Sequence, residues 1–276
     1  MQFSVSMCVY GKDNPEHFKT AMDSVINQTA PPDEIVLVVD GPIPQELQTA
    51  IDGFCEKHDN LNVIYLEKNS GHGEARRIGI SNCRYPLIAI MDADDISLPD
   101  RFEKQLAKFK ENPNLSIVGG NIREFIGSPE NVVGVRQVPM SDEDIKNYMK
   151  SRCPFNQVTV MFKKDSVELA GGYLDWFSNE DYYLWIRMAL CGFEFANLDE
   201  ILVNVRVSKE MYARRGGWKY FRSEAKLQMF MYKKRIISVF RLIYNVLVRF
   251  AVQVIMPNGF RAFIYKRFAR ESAEIQ

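Results

Sequence analysis

Two groups of carboxylates stand out by their spacing. The apolar run 86–91 leads directly into Asp92-Ala93-Asp94-Asp95, three acidic side chains within four positions. Carboxylates this close repel one another unless a cation or a helix N-terminus offsets them. As hard oxygen ligands they suit Mg2+ or Mn2+, ions that keep part of their water shell and share substrate phosphates. They also suit a plainer task, capping the helix expected to start near Pro99. The second group is Glu180-Asp181, opening a helical pattern whose buried face continues through Leu184 and Met188. Carboxylates in a first helical turn are favoured by the helix dipole whatever their use. One of them could equally serve as a general base, taking a proton from a hydroxyl that becomes a nucleophile.

These groups need a scaffold. Residues 3–9, 34–39, 62–66 and 86–91 are strand-like apolar runs, separated by helical patterns at about 15–28, from Pro44 onward, and at 73–83. Asn14-Pro15-Glu16 reads as a cap followed by a first-turn proline. Near-continuous apolar strands alternating with helices predict an α/β protein, a Rossmann-like parallel sheet with helices on both faces. In such sheets the ligand crevice lies beyond the carboxyl ends of the strands. Strand one delivers Val9-Tyr10-Gly11, with an aromatic ring that could stack on a base. Strand two ends at Asp40, which could accept a hydrogen bond from a nucleobase N–H. Strand three runs into Lys68-Asn69-Ser70-Gly71-His72-Gly73-Glu74-Ala75-Arg76-Arg77, where glycines permit close backbone approach and basic groups follow. This segment is neither a P-loop nor a G-x-G-x-x-G fingerprint, and a simple turn is its alternative reading. Asp40, the Gly/Arg segment and the Asp cluster converge on a nucleotide diphosphate with a divalent metal. From about 115 to 205 the alternation loosens, with strands at 116–119, 121–126, 132–138 and 158–162 and helices at 141–150 and 179–190.

The ordered set S-V-S-M-C-V-Y, V-V-D-G, N-S-G-H-G-E-A-R-R-I-G and M-D-A-D-D, followed by G-G-Y-L-D and N-E-D-Y-Y-L-W-I-R, resembles the inverting family 2 glycosyltransferases of the GT-A fold. The resemblance covers about residues 3–205 and is of the bacterial surface-polysaccharide type. It implies a GT-A domain over 1–205, with a nucleotide-sugar half (about 1–115) and an acceptor half (about 116–205). It implies nucleotide contacts at Val9, Tyr10, Asp40, Gly71, Arg76, Asp92, Ala93 and Asp94, with UDP the expected nucleotide. Asp94 would be the direct ligand of Mn2+ or Mg2+, Asp92 would meet the ribose or a metal-bound water, and Asp95 would support the site. Asp181 would be the base and Glu180 would organise the acceptor side. Asp95, Gly172, Asp175 and Trp185 are further candidates for sugar contacts, although Trp185 also suits packing within its helix. Two positions at the nucleotide end depart from the family's habit: Gly11 where many relatives have Asn, and Cys8 where Thr or Ser is frequent. An inverting transfer needs one carboxylate opposite the leaving group and no covalent intermediate. Water must be excluded, so a lid is expected over 206–215, where Arg206, Arg214 and Arg215 could close on the diphosphate.

Composition sets the surroundings. Lys plus Arg and Asp plus Glu number 35 each, which argues against a nucleic-acid binder. That neutrality conceals a split. Residues 1–200 carry 19 basic against 31 acidic side chains, a net −12, and residues 201–276 carry 16 against 4, a net +12. Five scattered cysteines without a C-x-x-C pair and only three histidines support neither a disulfide framework nor a zinc site. The opening residues are too short and polar for a secretory signal, so a cytoplasmic setting is expected. The tail 206–276 reads as helical and basic. Arg241 and Arg249 interrupt its apolar stretch 236–256, which disfavours a transmembrane helix. Arg241, Asn245, Arg249 and Gln253 recur every four residues as one polar stripe. Beyond Pro257, Phe260, Phe263, Ile264 and Phe268 stand among Arg261, Lys266, Arg267 and Arg270. This fits peripheral attachment to an anionic membrane, on its inner face, which suits a glycan or lipid-linked saccharide acceptor. Packing on the domain, or on a second copy in a homo-oligomer, is the alternative. A catalytically silent glycan-binding scaffold would have no need of Asp92, Asp94 and Asp181 together. A sugar-nucleotide pyrophosphorylase would want a glycine-rich basic loop after strand one, where Tyr10-Gly11-Lys12-Asp13 stands.

Overall fold

Strand β1 (Phe3–Tyr10) runs parallel to β2 (Glu34–Asp40) on one side and β4 (Leu87–Asp92) on the other, and β3 (Leu61–Tyr65) extends the sheet beyond β2. The computed structural model describes residues 1–208 and 216–256. Every residue of β2 is buried, as a strand covered on both faces requires. Helix α1 (Pro15–Ile26) starts where Asn14 Oδ1 accepts from the backbone N–H of Glu16 and His17, at 2.8 and 3.2 Å. Helix α2 (Gln45–Cys55) begins one residue after Pro44, and α3 (His72–Asn82) follows Gly71.

The second half continues the same sheet. After the short β5 (Ile96–Ser97) and helix α4 (Arg101–Glu111) come β6 (Leu115–Phe125), β7 (Val132–Arg136), helix α5 (Asp142–Met149), β8 (Met161–Lys163), α6 (Lys164–Leu169), α7 (Glu180–Leu190) and β9 (Glu194–Arg206). The strand order is β3-β2-β1-β4-β8-β6-β9-β5, with β7 beside β6; β8 is antiparallel to both β4 and β6, and β9 is parallel to β6. The two strands expected at 116–119 and 121–126 are one. A Cβ at Gly119 would lie 2.4 Å from Asn197 Oδ1, and one at Gly120 would lie 2.6 Å from Leu202 Cδ1. Those glycines let β9 approach and do not break the strand. The segment expected as a strand over 158–162 is a 3-10 turn (Gln157–Thr159) followed by β8.

Helices cover both faces. Phe18, Met22, Leu47, Ile51, Phe102 and Phe109 form one core with β1 and β2, from helices α1, α2 and α4. On the other face Ile80, Ile145, Met149 and Trp185 pack with Leu227 and Met231 of α8 (Trp218–Lys233) and Leu242 of α9 (Val239–Phe250). Each such fully buried side chain contributes roughly 1.5–3 kcal/mol.

Helix α9 is turned the other way round from an ordinary amphipathic helix. Asn245 is 2% exposed, its Nδ2 donating to Lys150 O and Gln228 Oε1 at 2.9 and 2.7 Å. Arg249 pairs with Glu224 and donates to Ser151 O at 2.6 Å, and Gln253 is 4% exposed. Three of the four polar-stripe residues therefore face the domain, while Phe240, Ile243, Tyr244 and Leu247 are exposed. Arg214, Arg215 and the segment 257–276 lie outside the described residues.

Candidate active site

Register brings the strand ends together. Tyr10 pairs with Asp40 and Cys8 with Asp92, so the ends of β1, β2 and β4 share one edge of the sheet. Over that edge lies a cavity of about 1250 Å³, into which the 70–74 loop, Asp92, Asp95, Asp175, Glu180 and Asp181 all open. Tyr10, Asp40 and Asp94 do not line it.

Asp40 is buried and already engaged. Its Oδ1 accepts from Ser70 N and Ser70 Oγ at 2.6 and 2.8 Å, and its Oδ2 from Gly71 N at 3.1 Å. The residue expected to read a base thus also ties the β3–α3 loop to the end of β2. Gly41 makes this possible: its φ is +86°, and a Cβ there would lie 2.5 Å from Asn69 N. Gly71, at φ +90°, turns the chain into α3. Tyr10 is 38% exposed, so its ring is open for stacking, whereas Val9 and Ala93 are buried and offer only backbone.

The Asp cluster is graded in exposure. Asp94 is exposed and Asp92 half-buried, and Asp95 is buried with its Oδ1 accepting from Arg206 N at 2.8 Å. Burial, then Asp94 and Asp92, push Asp95 well above the carboxylate range. Asp95 therefore braces the loop against the end of β9. Arg206 is part of that brace and does not hang free as a lid: its Nε donates to Asp94 O at 3.2 Å and its Nη1 to Gly127 O at 2.8 Å. Asp13, absent from the sequence-based set, belongs here. Its Oδ2 accepts from Tyr10 N at 2.9 Å, and burial, then Asp94 and Asp92, raise its carboxyl to about 6. Beneath the loop sits fully buried Arg101, donating to Ile90 O at 2.9 Å and pushed down to about 9 by burial.

Among the described residues no three His, Cys, Asp or Glu side chains are grouped to hold a metal ion unaided. The donor set still fits one. Asp92 and Asp94 both add negative charge at Asp13, and Mg2+ or Mn2+ typically completes its shell with water and substrate phosphate.

Arg76 joins the two sides. It is 3% exposed, with Nη2 2.5 Å from Asp92 Oδ1 and Nε donating to His72 Nε2 at 3.0 Å. His72 Nε2 is therefore an acceptor, which leaves the proton on Nδ1, 3.3 Å from Glu180 Oε1. Burial would raise Glu180, but this bond, its own backbone N–H and the nearby Arg76 outweigh it and hold Glu180 below its ordinary value. Asp181 behaves oppositely: burial, then the Glu180 charge, raise it to about 6. Two adjacent carboxylates are thus driven apart, one firmly ionised and one poised near neutrality, the pattern of an acid–base site. The chain enters α7 through Ser178, a non-glycine at φ +56°.

Two candidates for sugar contact fall away, and for Trp185 the packing alternative holds. Trp185 is fully buried, packed edge-on against Phe155 and Tyr173, and cannot reach a sugar. Its helix presents Glu180 and Asp181 to the cavity only at the N-terminal turn, so the ring one turn later points into the core. Gly172 takes φ +65° and its carbonyl accepts from Arg187 Nη2 at 2.6 Å, a turn-building role. Asp175 is exposed and lines the cavity. Arg136, Arg152 and Gln157 also line it, as do Glu224, Arg249 and Gln253 from the C-terminal helices. No local sequence signal marked Arg136, Arg152, Gln157 or Glu224, and Arg249 and Gln253 stood out only as part of the polar stripe, because these residues meet only through the fold.

The chain is similar in sequence to known proteins over nearly its whole length. A protein of Escherichia coli described as UDP-Gal:alpha-D-GlcNAc-diphosphoundecaprenol beta-1,3-galactosyltransferase is 36% identical over 98% of this chain and 97% of its own. The amylovoran biosynthesis glycosyltransferase AmsE of Erwinia amylovora is 34% identical over 96% of this chain and 98% of its own. The solved mannosyltransferase PcManGT of Pyrobaculum calidifontis, in complex with GDP-Man and Mn2+, superposes with a TM-score of 0.61 at 17% identity, covering 94% of this chain and 71% of that one. That likeness supports the GT-A sheet seen here. The model of glycosyl transferase family 2 matches residues 4–167, which span β1, the Asp cluster and β8. With strand-end carboxylates, sheet order and relatives in agreement, the chain belongs to glycosyl transferase family 2, a family of inverting glycosyltransferases.

Proposed function

We propose that this glycosyltransferase moves a sugar from a UDP-sugar to a hydroxyl of a saccharide carried on a lipid diphosphate, in building a cell-surface polysaccharide. The observation that carries the reading is Asp181, raised to about 6 on the wall of a cavity that also holds Asp92. The Escherichia coli relative's donor and lipid-linked acceptor, covering nearly the whole chain, support the substrate class. In this reading Tyr10 and Asp40 hold the nucleotide end, and Asp175 and Glu180 orient sugar and acceptor. Asp181 takes the proton of the acceptor hydroxyl while the hydroxyl oxygen bonds to C1 of the donor, and the C1–O bond to the diphosphate breaks on the opposite side. Asp94 and Asp92 would hold a Mn2+ or Mg2+ ion, which supplies positive charge against the leaving diphosphate, an effect typically worth several kcal/mol.

The same reading seats the chain peripherally on the inner face of the cell membrane. No helix among the described residues is long and apolar enough to cross a membrane. The outward apolar face of α9 supports contact with lipid, and so does its charge setting. In 216–256 the cations Lys219, Arg222, Lys226, Lys233, Lys234, Arg235 and Arg241 are exposed, while the acidic residue there, Glu224, is paired inward with Arg249. An apolar face ringed by cations suits an anionic interface.

A donor screen scoring nucleotide release tests the function. UDP release from one UDP-sugar should rise on adding a lipid-diphosphate saccharide and Mn2+. Release indifferent to every lipid-linked saccharide offered would overturn the acceptor assignment.

A further inference from the structure

The amide of Gln157 can point two ways, and hydrogen bonding selects one. With Nε2 toward Asp181 it donates to Asp181 Oδ2 at 2.8 Å, while Oε1 accepts from Arg76 Nη1 at 3.1 Å and from the Tyr173 hydroxyl at 3.1 Å. The reverse orientation sets an oxygen against a carboxylate and an NH2 against a guanidinium, which no network would choose. The backbone carrying this side chain is held firmly. Asn156 Nδ2 donates to Gly120 O at 2.9 Å, Thr159 Oγ1 to Asn156 O at 2.7 Å, and Gln105 Nε2 to Thr159 O at 2.8 Å. Asn156 and Thr159 are both buried. The 3-10 turn is therefore fixed on both sides of the residue it presents.

We infer that Gln157 is a positioning residue for transfer: its amide N–H holds the Asp181 carboxylate in place, and its carbonyl anchors that hold on Arg76, the cation paired with Asp92. This rests on the reading of Asp181 as the base. The chain Asp92–Arg76–Gln157–Asp181 gives the donor-side and acceptor-side carboxylates one shared orientation. Such support is what keeps a reacting group within the narrow range of productive geometry. An N–H donated to a carboxylate also favours its ionised form. The other charged or titratable groups near Asp181 are Glu180 on its own helix, Arg76 from α3, Arg136 from β7, Cys153 with Sγ 3.9 Å from Asp181 Oδ2, and Tyr173. Gln157 is the neutral member that satisfies both a carboxylate and a cation.

The test uses the full chain with Gln157→Met and Gln157→Glu, measuring the pH profile of kcat/KM, UDP affinity by calorimetry and Tm. Loss of the N–H in Gln157→Met should move the acid limb upward by about one pH unit and lower kcat roughly 10- to 100-fold, with UDP affinity within about twofold of wild type. Gln157→Glu places a second carboxylate at Asp181 and should move the limb further in the same direction. Both variants keeping the wild-type limb and kcat would overturn the proposal. Asp181→Asn separates the layers: if it keeps wild-type turnover the base reading fails, and if it is inactive while both Gln157 variants are normal only the positioning role fails. Should the variants unfold, selective 15N-glutamine labelling of the wild type decides. One side-chain amide should titrate near pH 6, and that titration should vanish in Asp181→Asn; no glutamine amide shifting between about pH 5 and 7 would overturn the proposal.

Discussion

Arg76 Nη2 lies 2.5 Å from Asp92 Oδ1, an ion pair between a cation that is 3% exposed and a carboxylate at the mouth of the cavity. Burial works against the guanidinium, but Asp92, with Tyr173, Cys8 and Glu180 beyond it, holds Arg76 above its ordinary value. The pair is how an acidic site tolerates its own charge before any substrate arrives.

Removing that cation should therefore cost both stability and donor binding. Arg76→Met is expected to lose about 3 kcal/mol in urea unfolding, the low end for breaking a buried pair, because Asp92 keeps some solvent. UDP affinity should fall at least about tenfold. Arg76→Lys should not restore it, since a single ammonium cannot serve Asp92, His72 and Gln157 together. Calorimetry on both variants checks the pair.

In its proposed role as base, Asp181 links activity to pH. With its carboxyl raised to about 6, kcat/KM should fall tenfold per pH unit below that value. Asp181→Asn should lower kcat by about 100-fold or more and leave UDP binding intact. Its effect on stability runs the other way. The folded carboxyl binds its proton more tightly than the open chain, where the value is 3.8. That contribution is present at low pH and lost as pH rises through about 6. The Tm of Asp181→Asn relative to wild type should thus climb by a few degrees between about pH 4 and pH 7.5. Thermal melts across that range would show a flat difference if Asp181 were an ordinary surface carboxylate.

Asp94, the exposed member of the cluster, is expected to matter only when metal is present. Asp94→Ala should bind UDP as wild type does in chelator and lose about tenfold or more of the affinity that Mn2+ adds. Undiminished Mn2+-supported affinity would remove Asp94 as the ligand.

Membrane attachment is better probed by substitution than by truncation, because Asn245, Arg249 and Gln253 of the C-terminal helices reach into the domain and two of them line the cavity. Phe240→Ser combined with Leu247→Ser changes only outward side chains, 81% and 61% exposed. The double variant should keep its Tm and UDP affinity and lose about tenfold or more of its binding to anionic vesicles. Wild-type binding should weaken with salt. Unchanged sedimentation with vesicles would refute the lipid role of α9.

Much of the donor side was legible along the chain. The strands β1, β2 and β4, the strand-end residues Tyr10, Asp40 and Asp92, and the Glu180–Asp181 turn all follow from short apolar runs and the polar residues that end them. Such signals are local, so a window of about ten residues contains them. The pairing partners are not local. Gln157 meets Arg76 across 81 positions of sequence, and Asp13 reaches Asp92 and Asp94 only because β1 and β4 are neighbours in the sheet.

Trp185 and α9 show the same division from the other side. Periodicity identifies a helix and its stripes, but not which stripe the rest of the molecule will bury. The polar stripe of α9 turns inward because Lys150 and Ser151 offer free carbonyls and Glu224 offers a charge, groups contributed by distant segments. Burying a polar side chain is tolerable where its partners are in place and costly where they are not. By itself the sequence determined the sheet, the carboxylates and the split of charge between body and tail. The tertiary structure decided which carboxylate is poised, which arginine joins the two halves, and which face of α9 meets the outside.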